Sequence, residues 1–311
     1  MKYDVLALGE ILIDFVPGKA DTSGDKAFVR KAGGAPLNLL ATVAKFGGKT
    51  AFCGKVGDDM FGAFLRRTVK DAGIDDSCIS VDKVHNTTLA FVSLDDSGDR
   101  DFSFYRNFGA DTFLTPEDIP EEAIRSSRFF HFGSLSFTQE PSRSAAEKAL
   151  KTARDAGCII TYDPNYRPPL WEKEETAVKW MRDNIEKAHI SKLSLEEALM
   201  IAGTNDADKA AGILLSMGPS LLLITDGPND VRYCARDFCG TVPALDVKSL
   251  DTTGAGDIFF GTFLSCLISS GLDPELLDKS ATEEFVRKAV YVSGMSTLKS
   301  GAIASIPDHM E

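Results

Sequence analysis

Short, mostly apolar runs recur along the chain, and longer stretches with apolar residues at helical spacing lie between them. The runs at residues 5–9, 50–54, 129–132, 158–162, 190–193 and 221–225 predict buried strands. The stretches at residues 37–46, 59–72, 142–156, 176–188, 196–202, 207–217, 254–270 and 283–297 predict helices. Continuous apolar strands separated by amphipathic helices are typical of a parallel sheet covered on both faces. The pattern therefore predicts a doubly wound, mainly parallel α/β fold.

A second set of extended segments does not follow this strand–helix alternation. Residues 88–94 and 101–106 are rich in β-forming side chains, and the polar, glycine-containing residues 95–100 between them predict a hairpin turn. With the early extended segments 11–16 and 27–30, they predict a small β-sheet outside the main one. The 311 residues are expected to form a single domain, whose lid consists of segments at about 11–31 and 86–108.

Charge and cysteine usage narrow the classes of partner. Lys and Arg number 34 and Asp and Glu 46, and the net charge of −12 argues against binding to nucleic acid. No apolar stretch reaches the roughly 18 residues of a membrane-spanning helix. The six scattered cysteines contain no C-x-x-C pair, which predicts reduced thiols and a cytoplasmic location. A small anionic ligand stays compatible with this composition, because backbone amides and a few local cations are enough to bind one.

The string from Asp251 to Asp257 (DTTGAGD) is the strongest chemical signal, since it runs directly into a predicted helix. Its small residues let the backbone approach a ligand closely. The free amides and the positive dipole end of the following helix point toward the glycines, which predicts an anion-binding pocket. Asp257 lies in the first helical turn beside that pocket, where a carboxylate suits a general base. A structural glycine turn is the competing interpretation.

Weaker candidates lie nearer the amino terminus and in the middle of the chain. The paired glycines Gly33 and Gly34 precede a predicted helix that carries Asn38, an amide with both a donor and an acceptor. Asp14 interrupts an apolar extended run, where a carboxylate needs hydrogen-bond donors such as sugar hydroxyls. The string at 163–167 (DPNYR) follows a predicted strand, where ligand sites of α/β sheets form. Each of these is also compatible with an ordinary turn or a solvated side chain.

The two glycine motifs resemble those of the ribokinase-like carbohydrate kinases of the phosphofructokinase-B type, and the resemblance covers residues 5–307. It implies a ribokinase-like fold that uses ATP and Mg²⁺. It further implies that Asp257 is the catalytic base and that the amides of Gly254, Ala255 and Gly256 form the anion hole. The positions that match the family's sugar-binding residues are Asp14, Gly33, Gly34 and Asn38.

The resemblance also implies positions for the nucleotide and the ions. The matching nucleotide-binding residues are Asn165, Ser194, Thr225, Asp226, Gly227, Gly254, Gly256, Gly301 and Ala302. Glu197 matches the acidic residue of the family's N-x-x-E motif, which binds Mg²⁺ through water, although Ser194 stands where that motif has Asn. Asp251 and Thr253 match a site for a monovalent cation such as K⁺.

Two further strings, at 102–111 and 163–171, resemble the fructokinase subgroup in particular. They add Phe104, Arg106 and Arg167 to the candidates for sugar binding, and they imply that the primary hydroxyl of D-fructose receives the γ-phosphoryl group, giving fructose 6-phosphate. The related 2-keto-3-deoxygluconate kinases also carry an Arg in a Tyr-Arg string, where it faces the substrate carboxylate, so Arg106 leaves that activity open. Ribokinase or nucleoside kinase activity and a non-catalytic sugar sensor are the remaining alternatives.

The expected partners are a small sugar, MgATP and a second copy of the chain. Apolar residues occur on both faces of the predicted lid, and a lid that packs against another lid would bury them. The sequence therefore predicts a homodimer through the β lids, with no nucleic-acid or membrane partner.

Overall fold

The predicted alternation of strands and helices forms one large sheet with helices on both faces, and a separate four-stranded sheet lies beside it. The computed structural model describes residues 1–18, 24–25, 27–94 and 100–310. Its strands are β1 (Tyr3–Leu8), β2 (Leu12–Pro17), β3 (Phe28–Gly33), β4 (Thr50–Gly57), β5 (Ile79–Asp82), β6 (Leu89–Leu94), β7 (Arg100–Tyr105), β8 (Ser127–Gly133), β9 (Ile159–Asp163), β10 (Ile190–Ser194), β11 (Leu221–Thr225), β12 (Val231–Ala235) and β13 (Cys239–Val242). Its helices are α1 (Ala35–Lys45), α2 (Met60–Asp71), α3 (Glu121–Arg125), α4 (Ser142–Asp155), α5 (Glu174–Ile185), α6 (Leu195–Ala202), α7 (Ala207–Met217), α8 (Ala255–Ser270), α9 (Lys279–Ser296) and α10 (Ala302–Ser305).

The large sheet has nine strands in the order β13-β12-β11-β10-β9-β8-β1-β4-β5. Neighbouring strands from β11 to β5 run parallel, and β12 and β13 add an antiparallel edge. Alternate side chains of a buried strand enter opposite cores: Val5 packs with α1, α2, α8 and α9, while Leu6 packs with α3 to α7. The predicted doubly wound α/β fold is thus confirmed, and the carboxyl ends of its parallel strands face one common edge.

Local capping explains where the helices begin. The helix predicted over 207–217 has those bounds, because the Asp206 carboxylate accepts hydrogen bonds from the amides at its start. The last long helix begins at Lys279, four residues before the predicted start at residue 283, because Asp278 caps it by accepting from the Ala281 amide. The short edge strand β5 was not predicted from the sequence. No helix in the described part of the chain is both long and apolar enough to cross a membrane.

The four-stranded sheet contains the strands predicted outside the main sheet, in the order β3-β2-β6-β7. β2 pairs antiparallel with β3 and parallel with β6, and β6 pairs antiparallel with β7. Aromatic rings pack along it, with the centroids of Phe15 and Phe91 4.9 Å apart. The turn predicted at 95–100 lies outside the described residues except for its last position, and so do positions 19–23 and 26 of the predicted lid.

The prediction that all cysteines are reduced thiols is wrong for two of them. Cys234 and Cys239 form a disulfide, with Cα atoms 4.2 Å apart. The physical reason is the register of the β12–β13 hairpin, which places these two residues directly opposite each other. The free cysteines, all of them buried, are Cys53, Cys78, Cys158 and Cys266.

Candidate active site

The loop before α8 is held against the carboxyl-terminal segment of the chain. Gly254 has φ of 74°, a left-handed conformation that glycine adopts without strain. A Cβ atom at this position would overlap the Cβ of Ala302 and would lie 3.2 Å from Nδ2 of Asn38. A residue without a side chain is therefore required here, since both neighbours approach the backbone directly.

The amides at the start of α8 divide into two groups. The Ala255 amide donates to the Thr252 carbonyl at 3.2 Å, so the turn already uses this donor that the sequence assigned to the anion hole. The first hydrogen bond that closes a helical turn runs from Ile258 to Gly254, at 2.8 Å. The intervening amides of Gly256 and Asp257 have no intrahelical acceptor and lie at the positive end of the helix dipole. An anion at this end would bind chiefly to these two amides.

Asp257 is buried in the first turn of α8, as expected of a catalytic base. Its Oδ2 atom accepts a hydrogen bond of 2.8 Å from Nδ2 of Asn38. Burial, followed by the negative charge of Asp163, raises the pKa of Asp257 to about 7, whereas the hydrogen bond from Asn38 acts in the opposite direction. A carboxyl group with a pKa close to neutrality is matched to accepting a proton under physiological conditions.

Asn38 reaches Asp257 because a glycine turn starts α1 at the right place. Gly34 is the N-cap, with φ of 120°, and a Cβ atom there would overlap the Glu10 carbonyl. The next amide, that of Ala35, donates to Oε1 of Glu10 at 3.1 Å, which ties the helix start to the segment after β1. Oδ1 of Asn38 is buried and has no hydrogen-bond partner among the described groups. This acceptor is suited to a hydroxyl donor from a ligand.

Asp14 extends the same line of contacts into the small sheet. Its carboxylate lies over Gly33, where a Cβ atom would overlap it, because the two residues belong to the paired strands β2 and β3. Four of the predicted sugar-binding residues therefore form a continuous path toward Asp257: Asp14, Gly33, Gly34 and Asn38. The close approach at both glycines is the reason that this path needs residues without side chains.

A buried ion pair lies beside Asp257; the sequence analysis included Asp163 in the 163–167 string but did not select Lys192. Asp163 ends β9 and Lys192 lies within β10, and Nζ of Lys192 donates to Oδ2 of Asp163 at 3.0 Å. Both side chains are almost fully buried, at 4% and 8% exposure. A lysine inside a strand predicted to be buried was the available signal, because a buried ammonium group requires a charged partner.

Glu197 and Ser194 form a reciprocal cap at the start of α6. Ser194 Oγ accepts from the Glu197 amide at 3.1 Å, and Glu197 Oε2 accepts from the Ser194 amide at 2.7 Å. Oε1 of Glu197 accepts from the Tyr166 amide, also at 2.7 Å. Asn165, which precedes Tyr166, has φ of 44° and donates its amide to Oδ1 of Asp163 at 3.0 Å. The strand-end loop after β9 is thereby attached to α6 through Glu197.

This arrangement determines how Glu197 could hold a metal ion. Burial and the nearby charge of Asp163 raise the pKa of Glu197, while the two backbone amides oppose that shift. Both carboxylate oxygens already accept a hydrogen bond, so Mg²⁺ fits best through bridging water. Among the described residues, no group of three or more His, Cys, Asp or Glu side chains is arranged to bind a metal by itself. A metal ion here would need oxygen ligands from a bound phosphate or water.

A cavity of about 460 Å³ opens beside the start of α8. That volume falls within the usual range for small-molecule sites. Three of the residues predicted to bind the nucleotide line this cavity, namely Thr225, Gly227 and Gly256, whereas the Asp226 carboxylate accepts a hydrogen bond from Asn229 within the turn. The sequence analysis missed the apolar walls, which come from segments far apart in the chain: Pro228, Val231, Ala244, Leu245, Val247, Phe259 and Val290.

The residues predicted near a monovalent cation connect the α8 loop to the end of the chain. Asp251 Oδ1 accepts from the Thr253 amide at 2.8 Å, and its Oδ2 accepts from the Gly301 amide at 3.0 Å and from Ser300 Oγ at 3.1 Å. Oγ1 of Thr253 is buried without a hydrogen-bond partner in the described part of the chain. Gly301 and Ala302 thus contact the 251–254 loop and do not line the nucleotide-sized cavity.

Arg106 has its own protein partners. Nε donates to Asp111 at 2.8 Å, Nη1 donates to Thr138 Oγ1 at 3.0 Å, and Nη2 donates to the Leu135 carbonyl at 3.0 Å. Arg106 and Asp111 are both buried. The guanidinium therefore joins the end of β7 to the main domain, and its positive charge is neutralised by Asp111.

The other two residues of the sugar prediction lie at the edge of the site. Phe104 is half-buried in β7, opposite Ala90 of β6. Arg167 is half-buried after β9, and its Nη1 atom donates to the Tyr166 carbonyl at 2.9 Å. These positions place one aromatic ring on the small sheet and one cation on the loop that Glu197 holds.

Comparisons with known proteins agree with this architecture. The model for "pfkB family carbohydrate kinase" matches residues 2–309. Fructokinase-2 of Solanum lycopersicum is 40% identical over 311 residues, covering 99% of this chain and 94% of the relative. The ATP-bound fructokinase of Xylella fastidiosa superposes with a TM-score of 0.91, at 32% identity, over 99% of this chain and 96% of that one. A double mutant of the Vibrio cholerae O395 fructokinase, bound to fructose, ADP and potassium ion, gives 0.88 at 28% identity over 99% and 96%. The chain belongs to the pfkB family of carbohydrate kinases.

Proposed function

We propose that the protein is an ATP-dependent fructokinase, which transfers the γ-phosphoryl group of ATP to the primary hydroxyl of D-fructose and forms fructose 6-phosphate. The observation that carries this proposal is the buried Asp257 carboxyl, which Asn38 holds at the amino end of α8 beside a nucleotide-sized cavity. Full-length similarity to fructokinases supports fructose as the acceptor. The intact base and anion-binding amides argue against a non-catalytic sugar sensor.

Asp257 has a defined task in this reaction. It accepts the proton of the primary hydroxyl as that oxygen attacks the γ-phosphorus, and its raised pKa near 7 matches this role. The amides of Gly256 and Asp257 stabilise negative charge on the transferring group, which is mainly an electrostatic and positioning contribution. Asn38 keeps the carboxylate oriented through the 2.8 Å hydrogen bond. The small sheet acts as a lid that excludes water during transfer.

The ions have distinct positions in the proposal. Mg²⁺ would be held through water near Glu197, and it supplies positive charge for the phosphate oxygens when bound. Glu197 itself keeps the loop after β9 in place through its hydrogen bond to the Tyr166 amide. The Asp251 carboxylate and the Thr253 hydroxyl, which has no hydrogen-bond partner among the described residues, offer oxygen ligands suited to K⁺. These two residues also hold the loop that leads into α8.

The environment of Arg106 favours a neutral sugar over an acidic one. A 2-keto-3-deoxygluconate kinase would use this arginine to bind the substrate carboxylate. Here Asp111 already neutralises the guanidinium at 2.8 Å, and both side chains are buried. A carboxylate substrate would have to displace this partner and leave Asp111 buried without its counter-charge, which is costly. Fructose, which carries no charge, avoids that conflict.

The lid surface is proposed to pair with the lid of a second copy in a homodimer. Phe28, Tyr105 and Phe108 are 50%, 66% and 75% exposed, and they lie on or beside the two edge strands of the small sheet. Pairing would cover these apolar side chains. Sedimentation velocity at micromolar concentration should show a dimer, and Phe108→Asp should convert it to monomer. Leu276→Asp, an equally exposed apolar position outside the lid, is the matched control; a monomeric wild type would contradict the proposal.

The cytoplasm is the proposed location. The four free cysteines support it, whereas the hairpin disulfide does not.

The proposed activity is tested by measuring kcat/KM for fructose, 2-keto-3-deoxygluconate, ribose and adenosine with MgATP. ADP release coupled to NADH oxidation gives the rates. The proposal predicts the highest kcat/KM for fructose. A higher value for 2-keto-3-deoxygluconate would contradict the argument from Arg106, and no sugar-dependent ADP release would favour the sensor.

A further inference from the structure

Lys192 is a buried cation at the site that the proposed mechanism does not yet use. It lies in the interior strand β10, with its neighbours Ser191 and Leu193 fully buried. Its ammonium group donates to Oδ2 of Asp163 at 3.0 Å, and only 8% of the side chain is exposed. An ammonium group has three donors, and Asp163 is its one hydrogen-bond acceptor among the described residues. The remaining donors are available to a ligand.

The position of this ammonium relative to α8 indicates what that ligand is. A Cβ atom built on Gly256 would lie 2.7 Å from Nζ of Lys192. In an α-helix the Cα–Cβ bond tilts toward the amino terminus, so Nζ lies on the amino-terminal side of Gly256. The unpaired amides of Gly256 and Asp257 point to that same side. Two kinds of donor, a cation and backbone amides, therefore converge on one small space.

The two arginines of the sequence analysis are placed differently from Lys192. The chain carries a net charge of −12. Arg106 is neutralised by Asp111, and Arg167 is only half-buried and donates to a backbone carbonyl. Lys192 is thus the buried ammonium that faces the start of α8. A purely structural ion pair would be a costly choice here, since burying two charges gains little stability over apolar side chains.

We propose that Lys192 is a further catalytic residue, whose ammonium group binds the oxygens of the transferring phosphoryl group together with the amides of Gly256 and Asp257. During transfer the bond from the γ-phosphorus to the β–γ bridging oxygen breaks, and its electron pair leaves with ADP. The sugar oxygen forms the new bond to phosphorus, and its proton passes to Asp257. Lys192 stays protonated and stabilises the charge on the transferring oxygens. This inference rests on the proposed kinase activity but not on the identity of the sugar.

Three variants separate this role from a structural one. Lys192→Met keeps the length of the side chain and removes its charge, and we expect kcat to fall about 10²–10³-fold, the cost of one lost donor to a developing anion. The KM for fructose should change less than about threefold, because the lysine acts on the phosphoryl side. Lys192→Arg restores a cation, and its kcat should be at least about tenfold higher than that of Lys192→Met. Lys187→Met, a half-buried lysine before the start of β10, is the matched control and should keep the wild-type rate.

A fourth variant tests whether Lys192 merely neutralises Asp163. The double variant Asp163→Asn with Lys192→Met removes both charges of the ion pair together, so it also covers the case in which Lys192→Met alone fails to fold. Compared with Asp163→Asn alone, it should still lose at least about 30-fold in kcat if the ammonium group acts on the phosphoryl group. Thermal denaturation confirms folding.

The inference is overturned if folded Lys192→Met keeps kcat within about threefold of wild type, or if the double variant matches Asp163→Asn alone. A wild type that phosphorylates another sugar would refute the choice of fructose only, and the same variants would then be measured with that sugar. A wild type without kinase activity would refute the proposed function itself.

Discussion

The pH dependence of catalysis follows from the environment of Asp257. Burial and the charge of Asp163 raise the pKa of this carboxyl from 3.8 to about 7. A general base must be deprotonated to accept the hydroxyl proton, so activity rises with pH. With a pKa of about 7, about one-tenth of the molecules are ionised at pH 6 and about nine-tenths at pH 8. We therefore expect kcat/KM for fructose to fall about tenfold between pH 8 and pH 6.

Coupled ADP release between pH 5.5 and 9 measures this profile, with excess Mg²⁺ to keep the nucleotide complexed. Coupling enzymes are doubled at each pH to confirm that they do not limit the rate. Asp155→Asn is the control, because it replaces a carboxylate by an amide at an exposed helix end. This variant should keep the wild-type pH profile. A flat profile between pH 6 and pH 8, or a midpoint near pH 4, would refute the reasoning, because either would mean that the base is an ordinary solvated carboxylate.

Three further predictions concern stability and local geometry. Because the pKa of Asp257 is raised from 3.8 to about 7 on folding, this carboxyl makes the folded state progressively less stable between about pH 4 and pH 7, and its effect is constant above pH 7. Asp257→Asn should therefore stabilise the protein at pH 8 by at most about 4 kcal/mol, and by almost nothing below pH 4. Thermal denaturation at both pH values checks this, and a lower Tm at pH 8 would contradict it. Arg106→Gln leaves Asp111 buried without its counter-charge, so it should lower the free energy of unfolding by about 3–5 kcal/mol in urea titrations. A loss below about 1 kcal/mol would show that the pair is dispensable. Gly34→Ala forces φ of 120° on a residue whose Cβ atom overlaps the Glu10 carbonyl. It should therefore destabilise the protein by about 1–3 kcal/mol and lower kcat/KM for fructose. An unchanged Tm would contradict the strain argument.

The sequence predicts the fold well where the signal is local. Continuous apolar runs identify the buried parallel strands, and the helix at 207–217 begins and ends as its pattern indicates. The predicted start of α9 is too late, because the first turn of this helix is mostly polar and lacks the apolar pattern. The residue that marks the true start is the N-cap, Asp278. The edge strand Ile79–Asp82 is short and half-exposed, and it lacks the pattern of a core strand. Local patterns thus locate the core more reliably than its edges.

Contacts across the chain were harder to predict. The DTTGAGD string indicates an anion site by itself, but the hydrogen bond between Asn38 and Asp257 joins residues 219 positions apart. The partners of Arg106 depend on how the small sheet docks on the main domain, and no local pattern encodes that docking. The Cys234–Cys239 pair is different, because it lies within one local hairpin, β12–β13, whose register places these residues opposite each other. Register was therefore an available signal that contradicted the assumption of reduced thiols.

In the proposed kinase reaction with fructose, Asp257 acts as the base. The most direct test of this role is Asp257→Asn, which preserves shape and the acceptor for Asn38 but cannot take a proton. Steady-state rates with MgATP and fructose, combined with calorimetric titration of fructose, separate chemistry from binding. The account predicts a kcat lower by about 10²–10⁴-fold, with the Kd for fructose within about threefold of wild type. Phosphorylation of fructose by this variant at the wild-type rate would contradict it.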